Sequence, residues 1–378
     1  MFIFRLVACL VFGLVGSWLI FPSLTFAQEV HNDFQGTWRG EVTKIIDEEK
    51  RLIPGTDTEH LYQTISVKVL DGPQKGETIT IENDYLELER GDKFYFNHYI
   101  YIEGQEVYAV TTIDRREALL FFVLLFVATV VVFGGWQGVR SLMALVGSFI
   151  AIFYVLLPGL LAGWNPLVVS FLVASAILAA AIFFTHGFNR ESLVAYSGTM
   201  MAVLLTGILA IIAVYICDLS GFVSDESVYL NFNTAGELDF TGLLLGAIII
   251  GVLGVLDDIA VTQAAVVSEL YSSNPNLTKR EVYRKALRVG KEHVGALVNT
   301  LVLAYAGVSL PLLLYFSQST ISFWSLINSE VFATEIIRAI VGSIGLILTV
   351  PIVTGLAVYY LKGYVSKSEH THSHSHKH

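Results

Sequence analysis

Two adjacent carboxylic acids, Asp257 and Asp258, lie within the apolar run GVLGVLDDIAVTQ at residues 251–263. A charged side chain at the centre of a membrane helix costs about 2.5–3.5 kcal/mol on insertion scales, so residues of this kind need a reason to be there. A carboxyl group in apolar surroundings can bind a proton or a small cation. We therefore predict an ion-coupling site at this pair. The alternative is a pair of carboxylates near the membrane boundary that simply reach water.

The depth of the pair bears on these two interpretations. The predicted span begins at Thr241, and the rise from there to Asp257 is about 24 Å in a hydrocarbon core of about 30 Å. The pair would then lie near the inner boundary, which favours the second interpretation. The apolar sequence continues to Ser268, however. A span displaced inward would bring the pair closer to the midplane, which favours ion coupling.

Polar residues that could complete the site lie on the same helix and on the next predicted span. Asp258 shares a helical stripe with Thr262. On the next span, Asn299 would lie about 9 Å deeper than His293, close to the depth of Asp258. Asn and Thr side chains can hydrogen-bond a carboxyl group across a helix interface. A histidine can relay protons, although an ordinary interfacial histidine is the alternative. The predicted site is Asp257, Asp258, Thr262, Gln263, His293, Asn299 and Thr300.

Composition indicates that a membrane domain positions these residues. The chain has 378 residues, of which 54% are hydrophobic and 15% charged, with a mean hydropathy of +0.63 and a net charge of −10. This is too apolar for an ordinary soluble protein. Arg5, an apolar core and a small-residue cleavage site at Ala27 predict a signal peptide over residues 1–27. An uncleaved anchor helix is the alternative, and residues 28–116 are exported in both cases.

The exported segment has the pattern of β structure. Ile65, Val67 and Val69 alternate with polar residues, and similar alternation recurs in GETITIEN, KFYFNHYIY and EVYAVTTI, with turn residues between the runs. About five short strands in about 90 residues predict a small closed, OB-like barrel. Such a barrel can bind a ligand; the alternative is a rigid cap that docks a protein partner. The segment has no basic aromatic face for nucleic acid.

Seven transmembrane helices are predicted from residue 117 to residue 361. The candidate spans are residues 117–133, 141–161, 167–185, 193–217, 241–262, 294–317 and 335–361. With residues 28–116 outside, the three later outer loops contain no Lys or Arg, whereas the inner segments contain eleven, from Arg140 to Lys377. This positive-inside pattern places the C-terminus in the cytoplasm and the protein in the bacterial cytoplasmic membrane.

Two inner segments have distinctive compositions. Residues 272–293 predict a basic amphipathic helix at the inner membrane surface, which begins with a capping box between Thr278 and Glu281. The C-terminal segment, residues 362–378, contains alternating histidines that could bind Zn²⁺ or Ni²⁺ weakly, although a solvated tail is the alternative. These candidate metal ligands are His370, His372, His374 and His376, with His378 last.

The motifs of several enzyme classes are absent from the sequence. It contains no phosphate-binding loop, no HExxH zinc motif, no nucleophile elbow and no dinucleotide fingerprint. We therefore predict that the protein is not an enzyme and has no cofactor. Its expected partners are the lipid bilayer, protons or small ions, and a protein that binds the exported domain. Glycine-rich helix faces could also support a homo-oligomer.

Two long segments resemble a known family. LDDIAVTQAAVVSEL and RKALRVGKEHVGALVNTLVLAYAGVSLPLLL are similar to the YibE/F-like family of bacterial membrane proteins, and the likeness extends over roughly residues 60–360 with VKVLDGPQKGETITIENDY and GDKFYF. The resemblance implies a polytopic membrane protein with an extracytoplasmic domain. It implies no catalytic residues, because the activity of that family is essentially unassigned.

A fainter resemblance concerns mechanism. A membrane aspartate, a basic amphipathic stretch and a threonine-containing helix are similar to SecD/SecF and the wider RND permeases. On that analogy Asp257 or Asp258 would couple proton movement and Thr300 would lie on the facing helix. The chain departs from this pattern because it has no duplicated half and a far smaller exported domain. We predict a proton- or ion-coupled transporter; the alternative is a non-transporting accessory or export-helper protein.

Overall fold

The computed structural model describes residues 34–52, 59–101, 105–318 and 320–362. The predicted signal peptide and the candidate metal-binding histidines lie outside these residues. The chain divides into two compact units, residues 1–129 and residues 130–378. The first contains a β-sheet and the second contains most of the helices.

The sheet of the first unit has five antiparallel strands in the order β3-β2-β1-β4-β5. The prediction of β structure for this segment is confirmed, and four of the strands coincide with the alternating runs. The long first strand was not identified as a separate run. The strands are β1 (Phe34–Leu52), β2 (Glu59–Val69), β3 (Thr78–Asn83), β4 (Lys93–Ile100) and β5 (Glu106–Ile113).

β1 is the central strand, and its two halves pair with different neighbours. Its first half pairs with β4 and its second half with β2, with two register shifts along the β2 ladder. Bulges of this kind bend a strand and increase its twist. The inward residues Ile65, Val67 and Val69 are at most 1% exposed and pack with Phe94 and Phe96. The alternation in the sequence therefore correctly identified the core face.

The prediction of a closed barrel was wrong, because the sheet is open. β3 and β5 are its two edges, and no ladder joins them in the described residues. Side chains connect this side instead: Gln74, in the turn before β3, donates to Glu106 at 3.3 Å and accepts from the Tyr108 hydroxyl at 3.2 Å. Strand count and spacing predicted the number of strands, but closure depends on an edge pairing that these patterns do not encode.

The helices account for nearly all of the rest of the described chain. Two of them continue through short π-helical segments, at Ile152–Leu156 and Ala180–Phe184. In chain order the helices are α1 (Arg116–Ala151), α2 (Leu157–Leu161), α3 (Pro166–Ala179), α4 (Arg190–Ile216), α5 (Asp225–Asn233), α6 (Phe240–Ser273), α7 (Lys279–Val308), α8 (Leu310–Ser317), α9 (Phe323–Ile327) and α10 (Glu330–Tyr360).

Helix α1 is interrupted by a backbone break at Gly135, whose φ of 54° and ψ of −137° are not helical. A Cβ added at Gly138 would overlap the carbonyl oxygen of Val130. In a straight helix these residues would lie about 12 Å apart along the axis. The chain therefore turns sharply at Gly135, where a glycine accommodates the positive φ without steric cost.

The described residues contain five helical segments that are long and apolar enough to cross a membrane, or six if the bent pair α7 and α8 is counted as one span. The protein is therefore a multi-pass membrane protein. The predicted first and second spans lie together in the 46-residue segment Arg116–Leu161, which is counted once. The remaining predicted spans correspond to α3, α4, α6, the α7–α8 pair and α10.

Helix α6 is the central helix of the second unit and packs against α3, α4, α7 and α10. Small residues make these close contacts possible. A Cβ at Gly246 would overlap the Ser170 hydroxyl on α3. On α10, a Cβ at Gly345 would overlap Thr206 of α4 in the same way. Close backbone approach through small residues is the main way in which helices associate in lipid.

Helix α7 contains the basic segment and the following apolar segment without interruption. The predicted capping box is confirmed: the Thr278 amide donates to the Glu281 carboxylate at 2.9 Å, and the Glu281 amide donates to Thr278 Oγ1 at 3.3 Å. The basic residues and His293 therefore lie on one rigid helix. This helix bends by 62° into α8.

Candidate functional site

Asp257 and Asp258 line a cavity of about 540 Å³ in the second unit. Both residues lie on α6, the most buried helix of the bundle. The rest of the wall combines apolar residues with a few hydroxyls and one imidazole. Its polar members besides the aspartates are Ser141, Ser148, Thr185, His186 and Thr262.

Four segments bring these residues together. The part of α1 after the break contributes Ser141 and Ser148, and α6 contributes the aspartates and Thr262. Both π-helical segments also reach the cavity, through Ile152 in one case and Ala181 and Ile182 in the other. Single π-helical turns are frequent at functional sites because they change which side chains face a pocket. The cavity therefore lies where two helices depart from regular geometry.

His186 belongs to this site, although it is not among the site residues predicted from the sequence. It lies in the short connection between the second π-helical segment and α4, and it lines the same cavity as Asp258. Asn189 fixes its backbone, since the Asn189 side chain donates to the His186 carbonyl at 3.1 Å. The same Asn189 accepts the Ser192 amide at 2.7 Å and so caps α4. The imidazole is thus attached to a well-ordered helix start.

His186 also lines a second, smaller cavity of about 150 Å³. Its wall includes Asn189, Glu191 and Ser192 from the start of α4, and Val261 and Ala264 from α6. His186 and Val261 line both cavities. Glu191 accepts a hydrogen bond from the Ser268 hydroxyl of α6, which ties the two helices together beside this cavity.

Gln263 has a structural role and does not line the aspartate cavity. Its side chain is 2% exposed and donates to the Ala286 carbonyl of α7 at 2.8 Å and to Thr354 Oγ1 of α10 at 2.9 Å. One amide group thereby connects three helices. His293 and Thr262 lie beside it at a void of only about 10 Å³. His293 does not line the cavity of the aspartates.

The predicted partners Asn299 and Thr300 are not brought to the aspartate cavity. No residue of α7 is among the described residues that line it, and the Thr300 hydroxyl donates to the Ala296 carbonyl of its own helix at 3.0 Å. The neighbouring Leu297 and Val298 pack against the hydrophobic cluster to which α6 contributes. The predicted neighbour of the aspartates was wrong. The side of α6 that carries them faces α1 and the segment after α3.

The donor groups of the cavity are of the kind that can exchange protons or hold a small cation. Among the residues that the structure describes, no group of three or more His, Cys, Asp or Glu residues is placed to hold a metal ion. The cavity offers two carboxylates, one imidazole and several hydroxyls within an otherwise apolar wall. Carboxylates in such surroundings exchange protons or hold a small cation because an unpaired charge there is costly.

Sequence reasoning missed His186 because it paired spans that follow each other in the chain. The available signal was HGFNRES, where a histidine precedes an Asn cap at a predicted inner helix start. In the predicted topology, two connections lie on the same side of the membrane. One joins the first two spans, and the other joins the third and fourth spans and contains His186. A search along that side, rather than along the next span, would have identified the residue.

Comparison with known proteins agrees with this architecture. No curated protein matches the chain significantly, and no solved structure does either. The family described as YibE/F-like protein matches residues 122–363, well over half of the chain. The match covers the helical region with the aspartate cavity and begins after the β-sheet. The chain therefore belongs to the YibE/F-like family of proteins.

Proposed function

We propose that this protein is a secondary transporter that is driven by a proton or small-cation gradient. The observation that carries the proposal is that Asp257 and Asp258 line one largely apolar cavity at the most buried helix of a membrane bundle. Carboxylates inside membrane domains typically mark ion pathways. In this proposal the bound ion neutralises charge on the aspartate pair. The helices around the cavity can then rearrange without carrying an unpaired charge through apolar surroundings.

The proposed topology has seven spans, with residues 28–116 outside and the C-terminus in the cytoplasm. The break at Gly135 supports two spans within Arg116–Leu161, because 46 helical residues would extend about 69 Å and a bilayer core is about 30 Å thick. The distribution of Lys and Arg supports the orientation. In this topology His186 and Glu191 lie at the cytoplasmic end of the bundle.

An uptake experiment tests the proposal even where the transported solute is unidentified. Purified protein in liposomes would be given a metabolite extract under an imposed proton or sodium gradient, and the accumulated compounds would be measured by mass spectrometry. We expect at least one solute to accumulate with the wild type and to be lost in Asp257→Asn/Asp258→Asn. Equal accumulation by both proteins, with matched thermal unfolding, would contradict the proposal.

A second candidate function is a membrane accessory or export helper whose exported domain docks a partner. The observation that favours it is a set of exposed aromatic side chains on the sheet unit, since aromatic residues are enriched in protein interfaces. Tyr85 and Tyr101 expose 64% and 49% of their surfaces on the same unit. Deletion of the sheet domain would then abolish function, and a stable partner would co-purify after gentle extraction.

A further inference from the structure

His186 lines both the cavity of the aspartates and the smaller cavity beside Glu191 at the start of α4. We propose that the ion bound by Asp257 and Asp258 is a proton, and that His186 passes this proton between their cavity and the cavity beside Glu191. The inference deepens the proposed function and rests on it. It names the coupling ion and assigns a residue that the sequence had not indicated.

The geometry is that of a shared wall. His186 and Val261 are the two residues that line both cavities. Val261 has no polar group, so His186 is the member of this pair that can carry a proton. The Asn189 side chain fixes the backbone of His186 through its carbonyl oxygen. This bond holds the point at which the imidazole is attached to the chain.

Charged groups from three segments lie near His186. Asp257 and Asp258 face it from α6, and Glu191 faces the second cavity from α4. Arg140 lies on a neighbouring groove with Gly187 and Phe188, and Arg190 immediately precedes Glu191 in the chain. Carboxyl groups that can donate or accept a proton therefore line both cavities that His186 lines.

The transfer step conserves atoms and charge. One ring nitrogen of His186 takes a proton from a hydronium ion beside Glu191, which leaves a water molecule, and the imidazolium then releases the proton on its other nitrogen to an aspartate carboxylate. Neutral imidazole is regenerated in the other tautomer, and rotation of the ring restores the starting state. A bound sodium ion would instead be repelled by an imidazolium beside the aspartates, which is why the residue set favours a proton.

Time-resolved infrared spectroscopy of the full protein in nanodiscs tests the relay. The carboxyl band that disappears in Asp257→Asn/Asp258→Asn would be followed after a pH jump across neutrality. His186→Ala is expected to slow its appearance by at least about tenfold, as loss of a positioned proton carrier should. Free imidazole should restore the rate, and pyrazole, of similar size but not protonated near neutral pH, should not. His293→Ala is the matched control and should match the wild type.

The outcomes separate this inference from the proposed function. An unchanged rate in folded His186→Ala, or equal rescue by pyrazole, would overturn the relay while leaving a titrating pair. Loss of the pH-dependent band on addition of sodium chloride, but not potassium chloride, would overturn the proton as coupling ion. Absence of any aspartate-dependent band would contradict the proposed function itself. His186→Gln is a second variant. If its carboxyl band also appears slowly while its melting temperature equals that of the wild type, misfolding is excluded as the cause.

Discussion

The Gln263 side-chain amide on α6 donates a hydrogen bond to Thr354 Oγ1 on α10 at 2.9 Å, in a part of the bundle where both residues are at most 2% exposed. The same amide donates to the Ala286 carbonyl on α7. These contacts make Gln263 a link between three helices. The polar residues next to the aspartates therefore divide into those that face the cavity and those that hold α6 in place.

A double-mutant cycle on this pair should reveal a measurable coupling. Gln263→Leu and Thr354→Val each remove one partner with little change in volume, and hydrogen bonds of this kind in membrane bundles average about 0.6 kcal/mol with a maximum of about 1.7. We expect each single variant to destabilise the protein and the double variant to destabilise it less than their sum. Chemical unfolding in mixed micelles measures this, and strictly additive effects would show that the pair is not coupled.

Gly290→Ala should disturb the packing of α7 against the central helix. The new methyl group would lie 2.5 Å from Val350 Cγ1 and 2.9 Å from Gln263 Nε2. Overpacking of this kind typically costs about 1–3 kcal/mol, so we expect a lower thermal unfolding temperature. Gly295→Ala on the same helix is the matched control, because no heavy atom lies within 4 Å of its Cβ position. Equal melting temperatures for the two variants would contradict this account of Gly290.

The sheet domain should lose stability in acid through Asp114. Its carboxylate accepts hydrogen bonds from the Arg116 side chain at 2.7 and 2.8 Å, and these bonds lower the pKa of Asp114 below its usual value. A lowered pKa contributes stability above the unfolded-state value of about 3.9, and this contribution is lost as the pH falls through the folded-state value.

Asp114→Asn should therefore destabilise the domain at neutral pH by about 1.5–3 kcal/mol, as expected for hydrogen bonds to a charged group. It should also remove part of the acid sensitivity. Hydrogen exchange of β5 peptides, corrected for the intrinsic pH dependence of exchange, measures both effects. The exposed Asp84→Asn is the control and should leave exchange unchanged. Identical pH profiles for wild type and Asp114→Asn would rule out this contribution.

The proposed topology places the connection around Gly135 on the cytoplasmic side of the membrane. In a background with Cys9→Ser and Cys217→Ser, Gln137→Cys should react with an impermeant thiol reagent in inverted vesicles and not in spheroplasts. Trp164→Cys should show the opposite pattern, because the proposed topology places it outside. Reaction of Gln137→Cys from the outer side would contradict two spans within Arg116–Leu161.

Local patterns predicted the elements of this protein well. Alternation identified the core residues Ile65, Val67 and Val69, and the spacing of Thr278 and Glu281 identified the start of α7. Each of these features is encoded by residues close together in the chain, so backbone geometry alone relates them. The apolar runs likewise predicted a multi-pass membrane protein because bilayer thickness imposes the length of a span.

Contacts between distant segments were predicted less well. Helical rise relates residues along one helix, but rotation about the helix axis and the choice of neighbouring helix depend on packing throughout the bundle. His186 lies more than seventy residues before Asp258 in the chain, and nothing local relates the two. The same limit explains the closed barrel that was expected, because closure depends on pairing between β3 and β5.

Carbodiimide labelling of Asp257 and Asp258 tests the central claim most directly. Dicyclohexylcarbodiimide modifies protonated carboxyl groups in apolar surroundings, and peptide mass spectrometry locates the adduct. We predict rapid labelling of the pair in nanodiscs near neutral pH, slower labelling as the pH rises, no protection by sodium, and no adduct in Asp257→Asn/Asp258→Asn. Labelling no faster than that of the exposed Glu292 at every pH would place the pair in ordinary water and contradict its role as the ion-coupling site.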